Sequence, residues 1–262
     1  MEIILKPKNI IIIGGAGGIG FAIAQKLLDS GAHSIILASR DQKKLLSAKE
    51  KLSFSENQHV YCLSFDITKI NSQTAFFEDA QKLIGEENQI DGLVISSGKN
   101  FDGSNWKGFN ISEFDWDQIM NTNLKGVFFL MRNFANKLHS KGIKGNICII
   151  SSVSAHRDLL SVYQISKLSV SRIVHAYGKY LAERGIILNC IEPGPVYTDM
   201  MQWLEKYTDG VRPGIPWPDS AIHRLVRPEE IAAMVFILMS NLSEMLSGSC
   251  ILAGGGTKSI FP

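Results

Sequence analysis

The chain has 262 residues, 45% of them hydrophobic and 20% charged, with 27 Lys plus Arg against 25 Asp plus Glu. That apolar fraction excludes general disorder, the net charge of +2 gives no reason to propose nucleic acid or an anionic membrane as a partner, and no apolar run reaches the ~20 residues of a membrane span. The length suits one large α/β domain over 1–262, and the first eight residues lack the features of a secretory signal, so a cytoplasmic location is expected.

Ile10 to Ile13, four isoleucines followed by glycines, is too short for a helix and reads as a buried strand. A glycine-rich segment then leads into a helix predicted over Phe21 to Ser30 and ended by Gly31. Ser34 to Ala38 is a second strand, Gln42 to Leu52 a charged helix, and Val60 to Phe65 a third strand. Ser72 to Leu83 is helical and Leu93 to Ser97 is a fourth strand. One long helical pattern covers Ser112 to Leu138, followed by a strand over Asn146 to Ser151 and a helix over Val162 to Arg184. Ile186 to Glu192 is a strand, Pro228 to Ser240 a helix, and Ser249 to Ala253 a last strand.

This alternation predicts right-handed βαβ crossovers, hence a three-layer, doubly wound Rossmann fold with a seven-stranded parallel sheet. The strands are apolar throughout, as a sheet covered on both faces requires. The irregular stretch from Thr198 to Arg224, with Pro213, Pro216 and Pro218, is expected to be a loop or lid over the substrate. Cys62, Cys148, Cys190 and Cys250 are widely spaced in apolar runs and read as reduced thiols. The six histidines form no ligand cluster, so no metal site is expected.

Gly14-Gly15-Ala16-Gly17-Gly18-Ile19-Gly20 joins the first strand to the first helix. Glycines there allow a tight turn and let the backbone approach a pyrophosphate, and the helix N-terminus offers free N–H groups to it. Tyr163 and Lys167 lie four residues apart on one helix face. A tyrosine titrates near ~10, and a neighbouring ammonium is expected to lower that value toward useful acid–base chemistry. Ser152 stands eleven residues earlier at a strand end, where open α/β sheets place their ligands; Ser151 is the adjacent alternative.

The spacing G-x-x-x-G-x-G over Gly14, Gly18 and Gly20 resembles the short-chain dehydrogenase/reductase family in its single-domain form, including 3-oxoacyl-[acyl-carrier-protein] reductase-like members. Asp66-Ile67, Asn123-Leu124-x-Gly126, Ser151-Ser152, Tyr163-x-x-x-Lys167, Asn189 through Pro193-Gly194-x-Val196-x-Thr198, and Arg227-Pro228-Glu229-Glu230 extend the resemblance along the chain. It implies a hydride-transfer oxidoreductase interconverting a carbonyl and a secondary alcohol. The residue matching Ser152 holds the substrate oxygen, Tyr163 transfers the proton, Lys167 also holds the nicotinamide ribose, and Asn123 supports a water relay. The resemblance also gives Gly14, Gly18, Ile19, Gly20, Asp66, Ile67, Gly98, Pro193, Val196 and Thr198 to cofactor binding, and implies a homotetramer or dimer.

At the end of the second strand Ser39 stands where an acidic residue would select NAD, and Arg40 follows with a fork of donors suited to a 2′-phosphate. NADP(H) is therefore the preferred cofactor, with NAD(H) possible, while Asp41 suits a helix N-cap. The chain departs from the family at Ile13, at Ile95-Ser96-Ser97-Gly98 and at Ala253; either the serines or water are expected to replace lost asparagine contacts. Phe101, Trp106, Phe109, Trp203 and Trp217 are candidate pocket walls. His156 either narrows the pocket, bonds the substrate or is an ordinary surface or core histidine. The substrate is a small-molecule carbonyl or alcohol: an acyl thioester, with Lys141, Lys144 and Arg184 as a docking patch, a sugar, or a steroid-like ketone. The rival reading is a non-catalytic dinucleotide-binding regulatory protein or subunit.

Overall fold

A computed structural model describes residues 2–100, 110–157, 161–198 and 221–256. Seven strands form one parallel sheet in the order β3-β2-β1-β4-β5-β6-β7. They are β1 (Asn9–Ile13), β2 (Ser34–Ser39), β3 (His59–Ser64), β4 (Gly92–Ile95), β5 (Gly145–Ile150), β6 (Ile186–Pro193) and β7 (Cys250–Ala253). The helices are α1 (Gly18–Asp29), α2 (Gln42–Lys51), α3 (Gln73–Ile84), α4 (Glu113–Met120), α5 (Gly126–Ser140), α6 (Val162–Ala182) and α7 (Pro228–Leu238).

The isoleucine run shows why the sheet is buried on both faces. Ile10 and Ile12 join one core with Ile23 and Leu27 of α1 and Val235 of α7. Ile11 and Ile13 point the other way, into a second core with Phe76 of α3, Phe134 of α5 and Val174 of α6. Period-2 geometry splits the run between the layers, and each fully buried isoleucine contributes roughly 1.5–3 kcal/mol. The apolar reading breaks at the inner Asn9, Asn146, Asn189 and Glu192, which are buried all the same, so the inner strands are covered on both faces. The edge strands β3 and β7 carry half-buried and exposed positions, because each has a neighbour on one side alone.

Besides shifts of one or two residues elsewhere, three of the changes from the predicted elements bear on the site. Helix α1 begins at Gly18, three residues earlier than expected, so Gly18, Ile19 and Gly20 form its first turn. Strand β4 stops at Ile95, because the backbone of Ser96 and Ser97 lies against Gly14. The single helix expected over Ser112 to Leu138 is interrupted by a π-helical stretch, Asn121–Lys125, between α4 and α5. Such stretches recur at functional sites, and this one carries Asn123. Cys148 and Cys190 are buried as expected, whereas Cys62 and Cys250 are half-buried, both on edge strands. All four are free thiols.

Candidate active site

The sheet order reverses between β1 and β4, and the crevice outside their carboxyl ends is where doubly wound sheets bind ligands. Gly14 has φ +83°, and a Cβ there would lie 2.9 Å from the Ser97 nitrogen. A Cβ on Gly20 would strike the Gly14 carbonyl, so α1 can meet the strand end only through glycine. Gly17 differs: its Cβ would meet nothing within 4 Å. Helix α1 has no side-chain cap and no acidic residue in its first turn. Its N–H groups therefore face an open cradle with the polarity that a pyrophosphate requires. On this geometry the residues present fit a dinucleotide.

The other candidate cofactor residues lie around this crevice. Gly18 meets Thr198, whose methyl would stand 3.2 Å from a Cβ on the glycine. Val196 is buried and bridges to Val226, while Gly194 N–H donates to the Ala253 carbonyl, so the segment after Pro193 is braced on both sides. Gly98 faces the Lys167 amine, which would be 3.5 Å from its Cβ, with the Asn123 oxygen at 3.8 Å. Ser39 is half-buried at the end of β2. Arg40 is exposed, and no hydrogen bond or ion pair among the described residues engages its guanidinium. Asp41 caps α2, accepting from the Lys44 N–H at 3.1 Å. Asp66 turns one oxygen to the amide and hydroxyl of Thr68, at 3.0 and 2.8 Å. The buried Ile67 carbonyl lies against Gly126, where a Cβ would be 2.7 Å away.

Strand β5 and helix α6 bring the proton-handling candidates together. A capping box starts α6: Ser161 accepts from the Gln164 N–H, and the Gln164 side chain returns to the Ser161 N–H. Two residues later Tyr163 is half-buried, with the Ser152 hydroxyl near enough to its phenol to lower its pKa. Ser152 caps the short turn Val153–His156, its oxygen accepting from the Ser154 N–H at 3.1 Å. Ser151 points elsewhere, donating to the Lys167 carbonyl at 3.0 Å and lying 3.1 Å from the Ser171 hydroxyl. Of the two serines, Ser152 is the one that acts on the Tyr163 phenol.

Lys167 is 5% exposed, and its Nζ donates to the Ile150 carbonyl at 3.0 Å. The amine stands 5.7 Å from the Tyr163 ring centroid. Burial lowers the lysine to about 8 and raises the tyrosine above its ordinary value, against the smaller opposing effect of the Ser152 bond. The phenol expected to be lowered by its neighbouring lysine is instead raised, because loss of water outweighs the opposing effect of Ser152. Asn123 is fully buried, with both its amide oxygen and its nitrogen hydrogen-bonded. It accepts from the Lys99 N–H at 2.8 Å and donates to the Lys99 carbonyl at 2.9 Å and the Ser166 hydroxyl at 3.2 Å. Ser166 in turn bonds the Tyr163 carbonyl at 2.6 Å, so Asn123 ties the segment after β4 to the start of α6.

Two polar features here were not foreseen. Glu192 is 1% exposed, bonds His156 and accepts from Ser171. A glutamate in a largely apolar strand just before Pro193 was the available signal. The Ser97 hydroxyl is buried with no hydrogen-bond partner among the described residues, so here the serine itself does not supply the lost asparagine contact. Phe101, Trp106, Phe109, Trp203 and Trp217 lie outside the described residues, as does most of the expected lid.

Residues 8–208 match the family model described as short chain dehydrogenase. The chain is 29% identical over 260 residues to the human dehydrogenase/reductase SDR family member 4, covering 97% of this chain and 89% of the relative. It is 28% identical to a 3-oxoacyl-[acyl-carrier-protein] reductase from Aquifex aeolicus, covering 98% and 99%. A crystal structure of an actinorhodin polyketide ketoreductase with NADPH superposes with a TM-score of 0.83 at 22% identity, over 96% of this chain and 97% of that one.

Proposed function

The chain belongs to the short-chain dehydrogenase/reductase family of oxidoreductases, and on that premise we propose that it reduces a ketone with NADPH, and oxidises the matching alcohol, through Tyr163. The observation that carries this reading is the convergence of Ser152, Tyr163 and Lys167 beside Gly98, at the open end of the glycine cradle. NADP(H), when bound, supplies or accepts the hydride. Gly14, Gly17, Gly18 and Gly20 seat its pyrophosphate and Arg40 pairs with its 2′-phosphate. Asp66 and Ile67 line the adenine end, and Val196 and Thr198 hold the carboxamide.

Tyr163 gives its proton to the developing alkoxide, and Ser152 donates a hydrogen bond to the same oxygen. The raised phenol is protonated at neutral pH, which suits a donor in the reducing direction. Lys167, still mostly charged at pH 7, stabilises the phenolate left behind and holds the ribose. Asn123 fixes the strand end and the helix start that carry these groups, and continues the proton path through bound water.

Exposed apolar side chains on α4 and α6, among them Phe114, Trp116, Leu168 and Tyr180, support pairing of these helices between subunits. The same reading gives a homotetramer or dimer. The chemistry is tested by following NADPH oxidation with diacetyl, acetoacetyl-CoA and a cyclic ketone, in the natural protein and in Tyr163→Phe. The substitution should cost about 10²–10⁴-fold in kcat with NADPH affinity retained; undiminished turnover would refute the mechanism.

A further inference from the structure

Glu192 is a buried carboxylate that the proposed chemistry does not use. One oxygen lies 2.7 Å from His156 Nε2, and the other accepts from the Ser171 hydroxyl at 2.6 Å. Ser171 in turn lies 3.1 Å from the Ser151 hydroxyl and 3.2 Å from the Lys167 carbonyl. One side chain at the end of β6 thus links the end of β5, the lysine turn of α6 and the turn that follows Ser152. An apolar residue would fill this space at less desolvation cost. A carboxylate with both oxygens engaged instead specifies one arrangement of its partners.

The turn Val153–His156 begins at Ser152 and moves with it. The Ser152 hydroxyl accepts from Ser154 N–H, and its carbonyl accepts from Ala155 N–H at 3.0 Å. His156 closes the far end of this turn, and Glu192 directly precedes Pro193, where the chain leaves the sheet for the cofactor side. We propose that His156 and Glu192 form a positioning pair that anchors the Ser152 turn to the β6 end, keeping Ser152 in register with Tyr163. The anchoring follows from the contacts alone; its effect on rate rests on the function proposed above.

The test measures amide hydrogen exchange over residues 152–157, NADPH affinity by fluorescence, and kcat and KM for diacetyl. The variants are His156→Ala, His156→Gln and Glu192→Gln. His156→Ala should speed exchange across the turn and lower kcat on the order of 10- to 100-fold, as small misplacements of reacting groups do, while NADPH affinity stays unchanged. His156→Gln, which can still donate to Glu192, should recover much of both. Unchanged exchange and unchanged kcat in His156→Ala and in Glu192→Gln would overturn the proposal. So would a fall in kcat with exchange unmoved, because the imidazole would then be acting on the substrate itself. Faster exchange in a chain whose natural form reduces no ketone would uphold the anchoring and defeat only the catalytic reading.

Discussion

Replacing Lys167 by methionine should stabilise the fold while removing turnover. The ammonium is 5% exposed, and its one hydrogen bond among the described residues is to the Ile150 carbonyl. Burial holds its pKa at about 8 instead of 10.5. The unfolded chain therefore binds this proton more tightly, and at ~1.36 kcal/mol per pKa unit the buried charge costs about 3 kcal/mol at pH 7. Between about 8 and 10.5 the unfolded state carries more protons than the folded one, so this group makes stability rise with pH. By pH 9.5 the remaining cost is about 1.4 kcal/mol. Methionine keeps a straight chain of similar volume but leaves the carbonyl one donor short, which returns about 1–2 kcal/mol. Urea unfolding of both proteins should show the methionine form ahead by about 1–2 kcal/mol at pH 7, with an advantage about 2 kcal/mol smaller at pH 9.5. An advantage of the same size at both pH values would refute the reasoning, since no buried charge would then be titrating.

Arg40→Ala should weaken NADPH binding by about 10- to 100-fold, the worth of one or two charge-assisted hydrogen bonds, and leave NADH binding almost untouched; unchanged preference would remove Arg40 from cofactor selection. Gly17→Ala and Gly20→Ala should separate ligand room from folding room. The first should unfold like the natural protein and lose NADPH affinity, whereas the second should lose stability because its Cβ meets the Gly14 carbonyl. Equal thermal stability of the two variants would contradict this division. Asp91 accepts from the Lys8 and Asn9 N–H groups at the head of β1, yet burial lifts its carboxyl from 3.8 to about 6. Over that interval the folded chain keeps a proton that the unfolded chain releases, so stability should fall by up to about 3 kcal/mol as pH rises. Asp91→Asn should flatten that slope, and an unaltered slope would count against it.

Periodicity and glycine placement carried most of the architecture. The isoleucine run, the alternation of strands with amphipathic helices and the glycines after β1 each act over a few neighbouring residues, so they are legible in order along the chain. The same holds for the Asp41 cap and for the shared helix face of Tyr163 and Lys167. Boundaries shifted where a distant segment intervened: Gly14 against Ser96 and Ser97 shortened β4, and the Asn123 clamp on Lys99 accompanies the π-helical break between α4 and α5.

Sequence by itself determined the layered α/β plan, the glycine turn after β1 and the set of candidate proton-handling residues, because strand period, helix period and glycine freedom are local properties. Tertiary structure alone decided which serine acts on Tyr163, how burial moves Tyr163 and Lys167 in opposite senses, and which partners Glu192 takes. His156 and Glu192 are separated by 36 residues and meet only because β5 and β6 are neighbours in the sheet. The partner of a buried polar group is set by strand order and by the water that packing removes, and neither is written in the spacing of residues along the chain.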